Sequence, residues 1–148
     1  MTLSDLHVHT TFCDGENTPE EMVLAAIEKG FDVLGFSGHS YAPFDLDYSV
    51  KSEQHYVQEL RALQKAYAGR LRIAVGMEAD WFAPVNDRAA LDYIIGSVHY
   101  LRDEATGRYY AVDGGWMLYD TWQELREHEL DAWVVDSTTG IEGDERCF

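Results

Sequence analysis

The segment DLHVHTTFCDGENTPEE, residues 5–21, opens with a predicted strand that carries two histidines. Its first residues alternate apolar and polar side chains, which is typical of a strand with one polar face. Side chains two positions apart on a strand point to the same side. We therefore expect His7 and His9 to face one cavity, where both can bind the same cation, while Leu6 and Val8 face the other way into packing.

The second part of this segment predicts a helix that begins directly after a turn. Thr18 is placed to cap the helix, Pro19 occupies its first position, and Glu21 completes a capping box with Thr18. Gly30 marks its end. Asp14 lies in the turn between strand and helix, beside a glycine, so it suits either a plain turn or a ligand position.

The rest of the chain continues this alternation of strands and helices. The pattern predicts strands at residues 3–9, 31–40, 70–81 and 93–101, helices at 18–30 and 49–69, and a short helical turn at 87–93. Such a rhythm is typical of an α/β fold with a parallel sheet or barrel, of which about four βα units are present. After residue 100 the pattern weakens to a hairpin or loop and one further helix, MLYDTWQELREHEL.

Each predicted strand ends on a residue that can bind a metal. His39 ends the second strand, Glu78 the third and His99 the fourth. The carboxyl ends of parallel strands meet at one edge of the sheet, where α/β proteins bind ligands. Taken singly, His39 suits a loop and Glu78 a salt bridge, but together with His7, His9 and Asp14 they predict a metal site.

The donor set narrows the metal to a class. Four imidazoles with carboxylates suit zinc, iron, manganese or cobalt, whereas a calcium site would use oxygen donors. A carboxylate such as Glu78 can bridge two ions, and a pair of ions about 3.5–4 Å apart would bind a phosphate and ionise a shared water.

Composition excludes several other classes of protein. The net charge is −16, from 27 acidic and 11 basic residues in 148, which argues against nucleic acid and against anionic membranes as partners. No apolar run is long enough to span a bilayer, and no signal peptide is visible, so we expect a cytoplasmic protein. No phosphate-binding loop, dinucleotide fingerprint or serine-hydrolase motif occurs.

Some reactive or aromatic residues have simpler interpretations. Cys13 and Cys147 are too far apart in sequence to suggest a disulfide framework, and Cys13 is expected to be a small buried apolar residue. His55 is expected on the exposed side of the second helix, and His128 lies in an acidic stretch. The four tryptophans are interpreted as core or loop packing: Trp81, Trp116, Trp122 and Trp133.

The motifs quoted above resemble a known family. DLHVHTTFCDG, GFSGHS, GMEADW and IIGSVHYL are similar to the successive motifs of the PHP (polymerase and histidinol phosphatase) family, in the spacing of its histidinol-phosphatase branch. The later RYYAVDGG also resembles that branch. The similarity extends over about residues 3–122.

The resemblance implies a distorted (β/α)7 TIM-like barrel and a metal-dependent phosphomonoesterase of histidine biosynthesis, with L-histidinol phosphate as its small phosphorylated substrate. It implies up to three divalent ions, with zinc, iron or manganese as candidates. His7, His9 and Glu78 resemble the ligands of the first ion, Glu78 and His99 those of the second, and Asp14 and His39 those of the third. Glu78, His9 and His99 are the candidate catalytic residues.

The chain also departs from the family pattern. No histidine follows His128, and the last residues resemble no later family motif. We therefore expect residues 1–122 to form the N-terminal part of a PHP domain, with an incomplete barrel, and residues 123–148 to form a divergent tail. Two alternatives stay open: another small phosphate ester as substrate, or a metal-binding remnant without activity. An open barrel edge would favour a homo-oligomer.

Overall fold

The structure is a computed structural model that describes residues 2–111. The chain divides into two compact units, residues 1–97 and residues 98–148. The predictions for the helix MLYDTWQELREHEL, for His128 and for the tail at residues 123–148 lie outside the described residues. In the part of the chain that is described, no helix combines the length and the apolar character needed to cross a membrane.

A four-stranded parallel sheet forms the centre of the first unit. Its strands follow chain order: β1 (Ser4–Val8), β2 (Val33–Phe36), β3 (Arg72–Asp80) and β4 (Tyr93–Ser97). The register is regular between β2 and β3 and between β3 and β4, whereas between β1 and β2 it shifts between Asp5 and Val8. This order confirms the parallel sheet that the sequence pattern predicts.

The first helix, α1 (Pro19–Glu28), begins as the sequence predicts. The Thr18 side chain accepts a hydrogen bond from the Glu21 backbone, and the Glu21 side chain accepts one from the Thr18 N–H, which completes the capping box. Past its last turn, Gly30 adopts a φ of 74°, a left-handed conformation that glycine takes without strain.

The second helix, α2 (Glu53–Ala66), is shorter than predicted. Residues 49–51 do not join it because they are held by the preceding loop. The Ser49 hydroxyl donates to the Asp45 carbonyl, and the Val50 N–H donates to the His39 carbonyl. Ser52 then caps the helix by accepting from the His55 N–H.

The core of the first unit is one cluster to which the sheet and both helices contribute. Val8, Phe36 and Val75 occupy paired positions on β1, β2 and β3, so their side chains lie on the same face of the sheet. Val23 from α1 and Leu60 from α2 are fully buried in the same cluster. The opposite face of the sheet carries the buried acids Glu78 and Asp80 of β3 and is called the polar face.

Two sequence expectations about apolar residues are wrong. Val8 is buried as predicted, but Leu6 is 46% exposed, since β1 is an edge strand of the described sheet. Trp81, predicted to pack, is 76% exposed. It lies in the turn after β3, where its backbone N–H donates to Ser97 while its indole ring extends into solvent.

The segment predicted as a fourth strand, residues 93–101, is divided between two strands in the structure. β4 ends at Ser97, and His99 follows two residues later, in the second unit. The second unit continues with an antiparallel hairpin of β5 (Tyr100–Arg102) and β6 (Tyr109–Ala111), which begins earlier than the segment predicted as a hairpin or loop. A short 3₁₀ turn, Arg88–Ala90, occupies the position of the predicted helical turn.

Candidate metal centre

Three successive strands of the first unit bring the predicted ligands to one edge of the sheet. His7 lies in β1, His9 follows the end of that strand, and Glu78 lies in β3. His39 forms a parallel bridge with Glu78 beyond the end of β2. The Glu78 N–H donates to the Gly38 carbonyl and its carbonyl accepts from the Ser40 N–H, so the segment after β2 fixes the backbone of this carboxylate on both sides.

One carboxylate oxygen of Glu78 is the meeting point of three imidazole rings. Its Oε2 atom lies 3.1 Å from His7 Nε2, 3.2 Å from His9 Nε2 and 3.4 Å from His39 Nδ1. The Glu78 side chain is almost completely buried. The rings of His9 and His39 stand edge to face with their centroids 4.4 Å apart. The sequence predicts six ligands at one edge of the sheet, and within the first unit the structure brings His7, His9, His39 and Glu78 together there.

Asp14 forms a second group with two of the same histidines. Its Oδ1 lies 2.9 Å from His9 Nδ1, and its Oδ2 lies 3.6 Å from His39 Nε2. A tight turn brings Asp14 back over the end of β1. Gly15 is required in this turn, since a Cβ there would come within 2.4 Å of the Thr10 backbone nitrogen.

The acids around His9 stabilise its protonated form when no metal is present. Burial by itself lowers the pKa of His9, but hydrogen bonds with Asp14, Cys13 and Glu78 outweigh it and raise the pKa to about 11. For Asp14, burial acts to raise the pKa, and the hydrogen bonds from His39 and His9 reverse the effect, so the pKa of this carboxyl lies well below its usual range.

This arrangement of donors fits divalent metal ions. The ligand atoms of His7, His9 and Glu78, and separately those of His9, Asp14 and His39, all lie within 4.8 Å of one another. Tetrahedral zinc with bonds of about 2.0–2.2 Å separates its ligand atoms by about 3.3 Å, close to the spacings around Glu78. Nitrogen and carboxylate donors together suit zinc, iron or manganese.

Ser37 adds a polar group that sequence reasoning missed. Its hydroxyl is fully buried and forms no hydrogen bond in the described part of the chain. Since Ser37 follows Phe36, which faces the core, its side chain belongs to the opposite face of the sheet, the face of Glu78. A buried hydroxyl without a partner is costly and is typical of a site that binds something polar.

The remaining sequence candidates do not belong to these two ligand groups. His55 is exposed on α2, as predicted, and its ring contacts Phe12. Cys13 is partly buried against the core, with its Sγ atom 3.7 Å from His9 Nδ1. His99 belongs to the second unit, so its part in metal binding stays a prediction.

The raised pKa of His9 predicts a pH dependence for the metal-free protein. In the folded state His9 keeps a proton that it releases above pH 6.5, its ordinary pKa, when the chain is unfolded. The stability that this proton confers is complete below that pH and is lost as the pH rises towards the folded pKa of about 11. The free energy of unfolding should fall by up to about 1.4 kcal/mol per pH unit in this window, as denaturant titrations can measure.

A His9→Gln variant is the control for this pH dependence, because it removes the titrating group. Its free energy of unfolding should fall less steeply over the same window, and an unchanged slope would contradict the assignment to His9. Zinc should stabilise the folded protein more strongly as the pH rises, since an imidazole must lose its proton to bind a metal.

Comparison with known proteins gives the same family as the quoted motifs. The chain matches the PHP domain family over residues 5–144. It is 38% identical over 112 residues to the probable histidinol-phosphatase of Deinococcus radiodurans, covering 67% of this chain and 43% of the relative. It is 32% identical over 126 residues to the histidinol-phosphatase of Bacillus subtilis, covering 72% of this chain and 47% of the relative.

A solved structure shares the fold. The histidinol phosphate phosphatase of Lactococcus lactis, complexed with zinc, L-histidinol and phosphate, has a TM-score of 0.55 and 25% sequence identity, covering 68% of this chain and 41% of that one. The chain thus spans less than half the length of these relatives. The four-stranded parallel sheet and its helices are part of a PHP-type barrel, and the chain belongs to the PHP domain family.

Proposed function

We propose that this chain is a divalent-metal-dependent phosphomonoesterase of the histidinol-phosphatase type, with L-histidinol phosphate as its substrate. The observation that carries the proposal is the convergence of three imidazole nitrogens within 3.1–3.4 Å of one carboxylate oxygen of Glu78. The relatives from Deinococcus radiodurans and Bacillus subtilis bear this name, and the Lactococcus lactis enzyme binds zinc together with L-histidinol and phosphate.

We assign one metal ion to each of the two ligand groups. His7, His9 and Glu78 would hold one ion, and His39 with Asp14 would hold another. We also propose His99, which belongs to the second unit, as a metal ligand on the family resemblance of IIGSVHYL. When bound, such ions polarise phosphoryl oxygens and lower the pKa of bound water, so that it becomes a nucleophile at neutral pH.

The protein's own contribution is to hold its donors in one orientation. Asp14 accepts from His9 Nδ1–H, which leaves His9 Nε2 as the atom that faces Glu78. Burial prevents the Glu78 carboxylate from turning towards water. The net charge of −16 would repel a phosphate, so the bound divalent ions would have to supply the local attraction for it.

The test combines metal binding with hydrolysis, and it uses the full chain. After metals are removed with a chelator, zinc, iron(II) and manganese are added back separately, and phosphate release is followed from L-histidinol phosphate and from a panel of other monoesters. Metal-dependent release with L-histidinol phosphate as the best substrate is expected. A different best substrate would contradict the substrate assignment, and binding of metal without any release would contradict the hydrolase.

Replacing His9 by alanine is the direct test of the proposed site. His9 would bind the first ion through Nε2 and holds Asp14 through Nδ1–H, so the variant should lose metal binding and lower the rate of phosphate release by about 10³-fold, the equivalent of about 4 kcal/mol. His55→Ala, at an exposed position on α2, is the matched control and should keep both. Unchanged turnover in His9→Ala would exclude the site.

A further inference from the structure

The side chain of Tyr93 crosses the polar face of the sheet beneath the ligand groups. Its ring lies directly over Gly76 on β3, where a Cβ would come within 2.3 Å of a ring carbon. Its hydroxyl reaches over Gly35 on β2, where a Cβ would lie 2.5 Å from the hydroxyl oxygen. Two strands therefore carry glycine where this ring passes, which explains glycines in the interior of buried strands.

The Tyr93 hydroxyl connects β1 to β2 at the irregular part of their register. It lies 2.8 Å from the Leu6 carbonyl and 2.9 Å from the Phe36 carbonyl, so its single proton is shared between two strands. Leu6 lies within the register shift between Asp5 and Val8, where the ladder does not pair each residue of β1 with one of β2.

The carbonyl that Tyr93 holds belongs to the peptide unit that leads into His7. The other end of the same unit is the His7 N–H, which donates to the Asp5 carboxylate at 2.9 Å. A peptide unit is planar, so hydrogen bonds at its two ends fix its orientation. The position of the His7 Cα, from which its side chain starts, is fixed with it.

We propose that Tyr93 is a positioning residue for the candidate metal centre: its hydroxyl holds the displaced Leu6–His7 peptide of β1 and thereby aims His7 at Glu78. The proposal rests on the proposed function for its metal, whereas the geometry that it explains is present without one. Tyr93 acts as a donor, and burial raises the pKa of its hydroxyl above the usual range, so that it keeps its proton.

Tyr93→Phe in the full chain tests this role, because it removes the hydroxyl and keeps the ring over the glycines. Zinc affinity of the metal-stripped protein is measured by competition with a chromophoric chelator. The variant should bind zinc about 10-fold more weakly or worse, the size of effect seen when groups that orient metal ligands are removed. Tyr48→Phe, at an exposed loop position, should bind zinc like the wild type.

A second readout needs no metal. In the metal-free protein, the imidazole NMR resonances of His7 should shift in Tyr93→Phe while those of His55 on α2 stay in place. Val23→Ala, which removes buried side-chain atoms of α1 from the core, is the control for a general loss of stability. It should lower the stability without shifting the His7 resonances and without weakening zinc binding. These measurements separate positioning from a general loss of stability.

The outcomes decide between the two proposals. Wild-type affinity for zinc in folded Tyr93→Phe, or unchanged His7 resonances, overturns the role of Tyr93 and leaves the proposed function intact. If the wild type itself binds no zinc, the proposed function fails, and the His7 resonances still decide the role of Tyr93. Should Tyr93→Phe not fold, 4-fluorophenylalanine at position 93 fills the place of the hydroxyl without donating a hydrogen bond, and full zinc affinity of that protein overturns the proposal.

Discussion

Replacing Glu78 by glutamine should abolish metal binding at the candidate centre and, with it, phosphate release. Glu78 is the carboxylate on which His7, His9 and His39 converge, and it is almost completely buried. Glutamine keeps the size of the side chain, but it loses the negative charge. We expect activity to fall by about 10³-fold or more, measured as phosphate release, together with loss of zinc in metal analysis.

Glu59→Gln is the matched control for this substitution. Glu59 is exposed on α2, and the same exchange there should change neither zinc content nor turnover. Retention of zinc by folded Glu78→Gln would show that the imidazoles bind the metal without this carboxylate, and the proposed arrangement of ligands would then be wrong.

Replacing Gly76 by alanine should cause a large loss of stability, although it adds only one methyl group to the sheet. The new Cβ would come within 2.3–2.6 Å of three ring carbons of Tyr93, closer than atoms that are not bonded can approach. The ring cannot move without losing both hydrogen bonds of its hydroxyl. We expect the free energy of unfolding to fall by about 3 kcal/mol, measured by denaturant titration.

Gly96→Ala is the control for Gly76→Ala. Gly96 lies on the neighbouring strand β4, and a Cβ there would meet nothing within 4 Å among the described residues. This substitution should be neutral or slightly stabilising. If the collision with Tyr93 is the cause, Tyr93→Ala should recover part of the loss in a Gly76→Ala background. Two losses that simply add would contradict it.

Much of the fold follows from local signals in the sequence. The capping box of Thr18 and Glu21 predicts the start of α1, and the alternation of strands and helices predicts a parallel sheet. The limits of α2 and β4 were less well predicted. Ser49 and Val50 bind backbone groups of the preceding loop, and such tertiary hydrogen bonds leave no mark on helical periodicity.

The candidate site was predictable where it depends on strand ends. His7, His9, His39 and Glu78 could be brought together by the rule that parallel strands end at one edge. The burial of Leu6 and Trp81 was predicted wrongly because it depends on what covers an edge strand and a turn. Tyr93 was missed because its role depends on the register of β4 against β3, although glycines inside two buried strands were an available signal.

The order of the strands has a consequence for how the centre forms during synthesis. The three ligand-bearing strands are hydrogen-bonded neighbours in chain order, and the most distant pair, His7 and Glu78, is separated by 71 residues. Each new strand can therefore dock on the one made before it. Every ligand of the two groups in the first unit is available once Glu78 has emerged from the ribosome, and cation capture can then accompany folding instead of following it.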